Sequence, residues 1–374
     1  MATATTNDLR KGTSAPIPAT MRAAVYRGIN DVRVETVPVP EIGPGEVLIR
    51  VHSCGVCGTD LKKIHTGSHS APRIFGHEIS GVIAATGEGV RGFEAGDRVM
   101  VFHHTPCGKC YYCRHKTPSQ CNDYKRVGVT AGFEPSGGGF AEYVRVMPWI
   151  VGRGLIKLPD HVSFEQAAFV EPVNTVYKAI RNLALEPDET VLVIGQGPIG
   201  IMHAALAART GAKVLTSDLY PERHRIAAQY GLDHPIDASK EDVVAVAHRE
   251  SEGRGADAVI VAVGGNSLIK TAMDAARPGG RVLLFAATQH CEATFDPAVV
   301  CMDEKTLMGS YSSSFDLQPE VEEIVFGGYR TDFDLTRLIS HRFALEDAVE
   351  AIRVASNPSA ASMKVFVQPE AAQV

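Results

Sequence analysis

The chain has 374 residues, 45% of them hydrophobic, and 37 basic against 43 acidic side chains give a formal charge of −6. That length exceeds what one hydrophobic core ordinarily supports and predicts about two domains. The mild acidity argues against a nucleic-acid surface, the lack of a bilayer-length apolar run argues against a membrane span, and eight cysteines in a core-rich chain fit a reducing, cytoplasmic setting better than a disulfide framework.

Residues 1–20, MATATTNDLRKGTSAPIPAT, lack the apolar segment of a secretory signal and read as a disordered leader. From Met21 to about residue 150 the runs AAVYRG, VRVETVPVP, GEVLIRVHS, ISGVIAATG, DRVMVF and AEYVRV alternate with Gly and Pro, which predicts a barrel-like β domain. Within it, Cys57 of CGVCGTD is followed by the pair His77 and Glu78 in FGHEISG. One thiol, one imidazole and one carboxylate suit a catalytic zinc, which takes about three protein ligands and keeps a position open. Glu171, in AAFVEPVNTVYKA, is a further candidate. Taken singly, Cys57 reads equally as a small buried hydrophobe, His77 as a core histidine and Glu171 as a helix-start charge. Cys54, Cys291 and Cys301 have no motif partner.

A second cluster follows: Cys107, Cys110, Cys113 and Cys121, spaced C-x2-C-x2-C-x7-C in PCGKCYYCRHKTPSQC. Four thiolates from so short a segment close a tetrahedral shell around Zn²⁺ and leave no position for chemistry, which makes a structural site. An iron–sulfur cluster needs a tighter last spacing and a following proline. Disulfides or idle thiols stay open beside zinc.

Beyond a helix starting near Ser163, strand-like VLVIG, KVLTSD, HPIDA, DAVIVAVGG and RVLLFAAT alternate with helical PERHRIAAQYG and SLIKTAMDAARPGG. That rhythm predicts a parallel sheet with helices on both faces. The turn GQGPIG places Gly195, Gly197 and Gly200 in G-x-G-x-x-G between a strand and a helix, where a dinucleotide pyrophosphate sits on the helix N-terminus, with Pro198, Ile199 and Val263 as flanking contacts. Asp218, ending the next strand, is placed to accept from an adenosine ribose diol and to repel a 2′-phosphate, which favours NAD over NADP. Arg223 either reaches the ribose or serves the helix after Pro221. Helices are expected around 318–326 and 345–356, then a last strand, MKVFVQ, rejoining the first domain.

CGVCGTD followed by GHE, the four-cysteine loop, and GxGxxG followed by an acid together resemble the zinc-dependent medium-chain dehydrogenase/reductase family of alcohol, sorbitol and threonine dehydrogenases. The resemblance runs from Met21 to nearly the last residue. It implies an α/β protein: a GroES-like β-barrel catalytic domain at 21–172 and 313–374, split around a Rossmann doubly wound parallel sheet at 173–312. It further implies one catalytic and one structural Zn²⁺ per chain, a small-molecule alcohol substrate, and a homodimer or homotetramer. Cys57, His77 and Glu171 match ligand positions or near neighbours, Glu78 a carboxylate that enters and leaves the coordination shell, and Asp60 a carboxylate that holds the histidine ring, though by itself Asp60 also reads as a turn residue. Glu171 before Pro172 is similar to the polyol enzymes.

The expected reaction is hydride transfer from a secondary alcohol of polyol or amino-alcohol type to NAD. Zinc lowers the pKa of bound water from about 15.7 to about 7, and a comparable drop for an alcohol supplies roughly 10 kcal/mol toward the anion. Thr59 matches the family's proton-accepting hydroxyl, and on its own it reads equally as a turn or cap residue. Where relatives often continue the relay with histidine, this chain has Lys62, with His65 nearby; both also read as surface residues. His103 stands where relatives oxidising simple alcohols often place an aromatic, so it is read either as a polar pocket wall or as a surface histidine. The rival classes are a zinc-free quinone or enoyl reductase and a non-enzymatic NAD-binding protein, neither of which has a use for Cys57, His77 and Glu171.

Overall fold

The computed structural model describes residues 16–126, 128–133, 137–286, 292–328 and 333–369. Residues 1–15 of the expected leader and Cys291 lie outside them. The short Gly- and Pro-bounded apolar runs build an eight-stranded sheet. Its main path runs Ile339–Ala344, Lys364–Gln368, Val47–Gly55, Glu78–Thr86, Arg98–Val101, Leu155–Lys157, and Tyr143–Val146 and Val129–Thr130 pair off beside Val47–Gly55. Thr20–Gly28 pairs separately with Asp31–Pro38 and Arg73–Ile74. Phe366 opposite Gly55 and Val367 opposite Cys54 carry the last described strand back to the third one, next to the segment holding Cys57.

The second sheet has six parallel strands in the order Pro235–Asp237, Lys213–Asp218, Thr190–Ile194, Ala256–Val261, Ala276–Leu284, Thr306–Gly309. All of Thr190–Ile194 is buried, as a strand covered by helices on both faces requires. Successive strands depart to opposite sides of it, so the crevice at its C-terminal end is where a doubly wound sheet takes a ligand. The helix expected through residue 280 stops at Ala275, and Ala276 already begins the next strand. Pro278 and Gly279, the latter at φ +70°, cannot continue a helix.

The helix begun by Ser163, whose Oγ accepts from Gln166 N–H at 3.0 Å, is broken at Phe169 into Phe164–Ala168 and Val170–Leu183. The longer piece welds the sheets together: Val173, Val176 and Ile180 share one apolar cluster with Met100, Phe102 and Phe366 on one side and Val191, Val193 and Ile201 on the other.

One histidine in that core is a liability. His203, on the helix Pro198–Ala208, is fully buried with its ring edge-on to Phe285 at 4.4 Å. Neither ring nitrogen has a hydrogen-bonding partner among the described residues, and burial pushes its pKa from 6.5 to about 3. A depressed folded-state pKa means that the unfolded chain takes up the proton first, so stability falls as pH drops from about 6.5 toward 3, by roughly 2 kcal/mol at pH 5. His203→Leu is expected to be more stable at pH 7 by about 1 kcal/mol, the relief of an unpaired polar group, and by more at pH 5. Urea midpoints at the two pH values check this; an unchanged pH dependence would refute it.

Candidate functional site

Cys57 is the N-cap of the helix Gly58–Thr66, and Asp60, three residues on, closes a capping box. Asp60 Oδ2 accepts from Cys57 N–H at 3.3 Å, while Oδ1 accepts from Gly76 N–H at 3.3 Å and His77 Nδ1 at 2.9 Å. Asp60 is therefore both the turn residue and the ring holder. A carboxylate only accepts, so Nδ1 carries a proton and Nε2 is the nitrogen left to face a metal, whose binding displaces any proton held there. Burial opposes charge on both partners. Nonetheless the Asp60 carboxylate and the Cys57 sulfur hold His77 well above its usual pKa, and His77 holds Asp60 below its own.

Ligand atoms of Cys57, His77 and Glu78 lie within 4.8 Å of one another. Glu78 opens the strand Glu78–Thr86 and is 1% exposed. Its carboxylate rests on Lys364, with Oε1 2.6 Å from Nζ and Oε2 also in contact. Lys364 Nζ also donates to the Val56 carbonyl at 3.2 Å. Burial works against the ammonium, but Glu78 outweighs it and raises the lysine's pKa. Gly55 makes this approach possible: a Cβ there would collide with the Glu78 carboxylate and lie 2.8 Å from Lys364 Cε. Lys364 escapes a reading of residue patterns, where its one signal is a lysine opening an otherwise apolar strand.

Glu171 is not among those three donors. It lies in the first turn of Val170–Leu183, where a helix-start charge belongs, yet it is buried. Burial raises its pKa to about 7, with His77 pulling down and Glu78 pushing up, so it stands within electrostatic reach of the cluster. Thr59 is exposed in the first turn after Cys57, with Lys62 partly buried one turn later. Lys63 is the cation that acts on Asp60, His103 and His104. His65 does not extend a relay: its ring nitrogens bond Asn30 Oδ1 at 2.5 Å and Ser356 Oγ at 2.8 Å, tying the helix to its neighbours. His103 is no surface residue. It is 7% exposed and packs on His77 with ring centroids 4.5 Å apart, and burial holds it well below its usual pKa. Cys54 is fully buried packing.

In the second cluster the Sγ–Sγ distances are 3.5 Å for Cys110–Cys113, 3.5 Å for Cys107–Cys121 and 4.0 Å for Cys107–Cys113. A tetrahedron with bonds of about 2.3 Å has edges of about 3.8 Å, so the four sulfurs fit zinc. All four are free thiols, which speaks against disulfides. The Lys109 and Cys110 N–H groups pull Cys107 down to about 7, and burial pushes Cys113 up to about 12. One ready thiolate is what a metal needs first.

At the nucleotide turn Gly195 has φ +94°, and a Cβ on it would meet Val263 at 2.8 Å. A Cβ on Gly200 would strike the Gly195 carbonyl, whereas Gly197, the N-cap of Pro198–Ala208, faces open space. That opening is where a pyrophosphate can approach the N-terminus beside Pro198 and Ile199. Asp218 is busier than expected: Oδ2 accepts from Gln196 N–H at 2.7 Å and Arg223 Nη1 at 3.2 Å, Oδ1 from Tyr220 N–H at 3.0 Å. A carboxylate has about four acceptor sites, so one is left for a ribose hydroxyl and not two. Arg223 Nη2 bonds the Ser359 carbonyl at 3.3 Å and so neither reaches outward nor merely caps its helix.

The model of the alcohol dehydrogenase GroES-like domain matches residues 43–160, and that of the zinc-binding dehydrogenase domain matches 198–326. Sorbitol dehydrogenase of Bacillus subtilis is 29% identical over 94% of this chain and 98% of its own. L-threonine 3-dehydrogenase of Rhizobium johnstonii is 34% identical over 84% and 89% respectively. A zinc-binding dehydrogenase from Sinorhizobium meliloti, solved with NADP, superposes with a TM-score of 0.83 at 29% identity, over 94% of this chain and all of that one. Among the described residues no helix is long and apolar enough to cross a membrane.

Proposed function

The chain belongs to the zinc-dependent alcohol dehydrogenase family, and from that premise we propose that it oxidises a secondary alcohol carrying a second polar group, of polyol or amino-alcohol type, passing the hydride to NAD. The observation that carries this reading is the convergence of Cys57, His77 and Glu78 within 4.8 Å, with Glu171 buried within electrostatic reach and a nucleotide turn in the same chain. Bound there, zinc supplies the Lewis acidity that makes an alcohol hydroxyl give up its proton. The rest belongs to the protein. Cys57 and His77 would be the constant donors, oriented by Asp60; Glu78, paired with Lys364, is the third candidate and Glu171 the fourth. Thr59 takes the alcohol proton, and Lys62 stands next on that helix. His103 gives the pocket a polar, uncharged wall, which favours substrates with a further hydroxyl or amine. Release of NADH or NADPH from a panel of simple alcohols, polyols and amino alcohols tests the reading. Reduction of alkenes without alcohol oxidation would overturn it.

NAD is the preferred acceptor because the one open acceptor site of Asp218 suits a ribose hydroxyl and its charge repels a 2′-phosphate. Asp218→Ala should lower kcat/KM for NAD by about tenfold or more, a hydrogen bond to a charged group being worth about 1.5–3 kcal/mol, and should lower that for NADP less. Equal losses with both would count against this role. The lobes are taken as 21–172 with 313–374, and 173–312. The outer edge of Thr306–Gly309, unpaired among the described residues, with the 80% exposed Met302 four residues before it, is a natural seam for a homodimer or half of a homotetramer. Free thiols favour a cytoplasmic setting.

A further inference from the structure

A file of four rings leads from the Cys57, His77 and Glu78 cluster to the four-cysteine loop. His77 packs on His103 with centroids 4.5 Å apart, His103 on His104 at 3.8 Å, and His104 on Tyr124 at 5.1 Å. Tyr124 stands three residues past Cys121, in the short helix Asn122–Lys125. It is 2% exposed, and its hydroxyl lies 2.6 Å from Ser312 Oγ and 2.9 Å from Ser313 Oγ. Those two contacts and its burial turn the phenol inward; its position makes it a strut between the four-cysteine loop, the ring file and the segment after Thr306–Gly309.

The other end of the file is under-restrained without it. Asp60 holds His77 at Nδ1 and the Cys57 side chain bonds the ring as well, but both contacts meet it at its edge, so the tilt of the ring, and with it the line from Nε2 to a metal, is set by what packs on its face. Among the described residues His103 is the ring that packs on it. His103 Nδ1 has no hydrogen-bonding partner there, so His103 is itself held by packing, with His104 and then Tyr124 behind it.

We propose that the four-cysteine loop is a positioning element for the catalytic metal site, with Tyr124 and His104 as positioning residues that fix the His77 ring through His103. The inference rests on Cys57 and His77 being metal ligands. Hydrogen-bonding partners directly behind a ligand histidine are typically worth about 10- to 100-fold in metal affinity, and rings packed further back are expected at the low end of that range.

The test measures zinc affinity at the Cys57 site by competition with a chromogenic chelator, and the thiolate-to-metal band of the cobalt-loaded protein, each as a difference from Cys57→Ser. His104→Ala should weaken zinc at that site about tenfold and shift the cobalt band, while the four-cysteine metal stays bound as evidence of folding. His104→Phe, which keeps a ring, should restore both. Tyr124→Leu should behave like His104→Ala and Tyr124→Phe like the parent, so the idea survives the misfolding of either single variant. Parent-like affinity and spectrum in His104→Ala or Tyr124→Leu would overturn it, as would failure of His104→Phe to rescue. If the parent protein shows no difference from Cys57→Ser, the ligand reading beneath it has failed instead.

Discussion

Cys57→Ser is expected to lower turnover by at least about a thousandfold while leaving the fold intact. The reasoning is one of scale: making an alcohol acidic near neutral pH calls for roughly 10 kcal/mol, and losing even a part of that equal to about 4 kcal/mol gives a factor of about a thousand. No other group in the site offers a comparable effect. The Cys57 side chain does little for the helix it caps, because the capping bond that matters runs from its backbone N–H to Asp60, and serine keeps that bond. Steady-state rates, a thermal melt and metal content should therefore show one metal lost, a near-parental melting temperature and almost no NADH. Activity within tenfold of the parent would remove Cys57 from the chemistry.

Cys107→Ser is expected to do the reverse. Its loop has no regular scaffold beyond Tyr111–Arg114 and two short 3-10 turns, and the residues around the sulfurs are largely exposed. Four thiolate–metal bonds would replace the core such a lobe lacks, and structural zinc sites in small modules are worth about 10–16 kcal/mol of apparent binding energy. Part of that is lost with one ligand, so a fall of several kcal/mol in resistance to urea is expected, together with protease cuts between Cys107 and Cys121. Residual activity per folded molecule should stay measurable, reduced through the ring file. A variant as resistant as the parent would show that the loop needs no metal.

Much of this was legible because the chemistry is local. The four cysteines sit within one loop, and Gly195, Gly197 and Gly200 answer to a single turn; the strand rhythm around them reflects burial on two faces. Asp60 is readable as a turn residue by itself and as the holder of the histidine ring through the family resemblance. What stayed hidden depends on contacts between distant segments. The sequence leaves His103 open between a pocket wall and a surface histidine because nothing near it in sequence announces that His77 packs on it, and it offers no reading of Lys364 at all. The crowding of Asp218 by Arg223 is a rotamer-level fact that no pattern of types encodes. The helix drawn too far, to residue 280, reflects an apolar period that the backbone of Pro278 and Gly279 overrides.

The Glu78–Lys364 pair also bears on biosynthesis. Its members are 286 residues apart, so a ribosome must extend the nascent chain across the whole nucleotide lobe before Glu78 meets its counter-ion. Until then an ionised Glu78 cannot be buried cheaply, and the barrel that surrounds it has reason to stay ajar. If Cys57 holds a metal, its capture is therefore expected to come late, once the strand Lys364–Gln368 has been made.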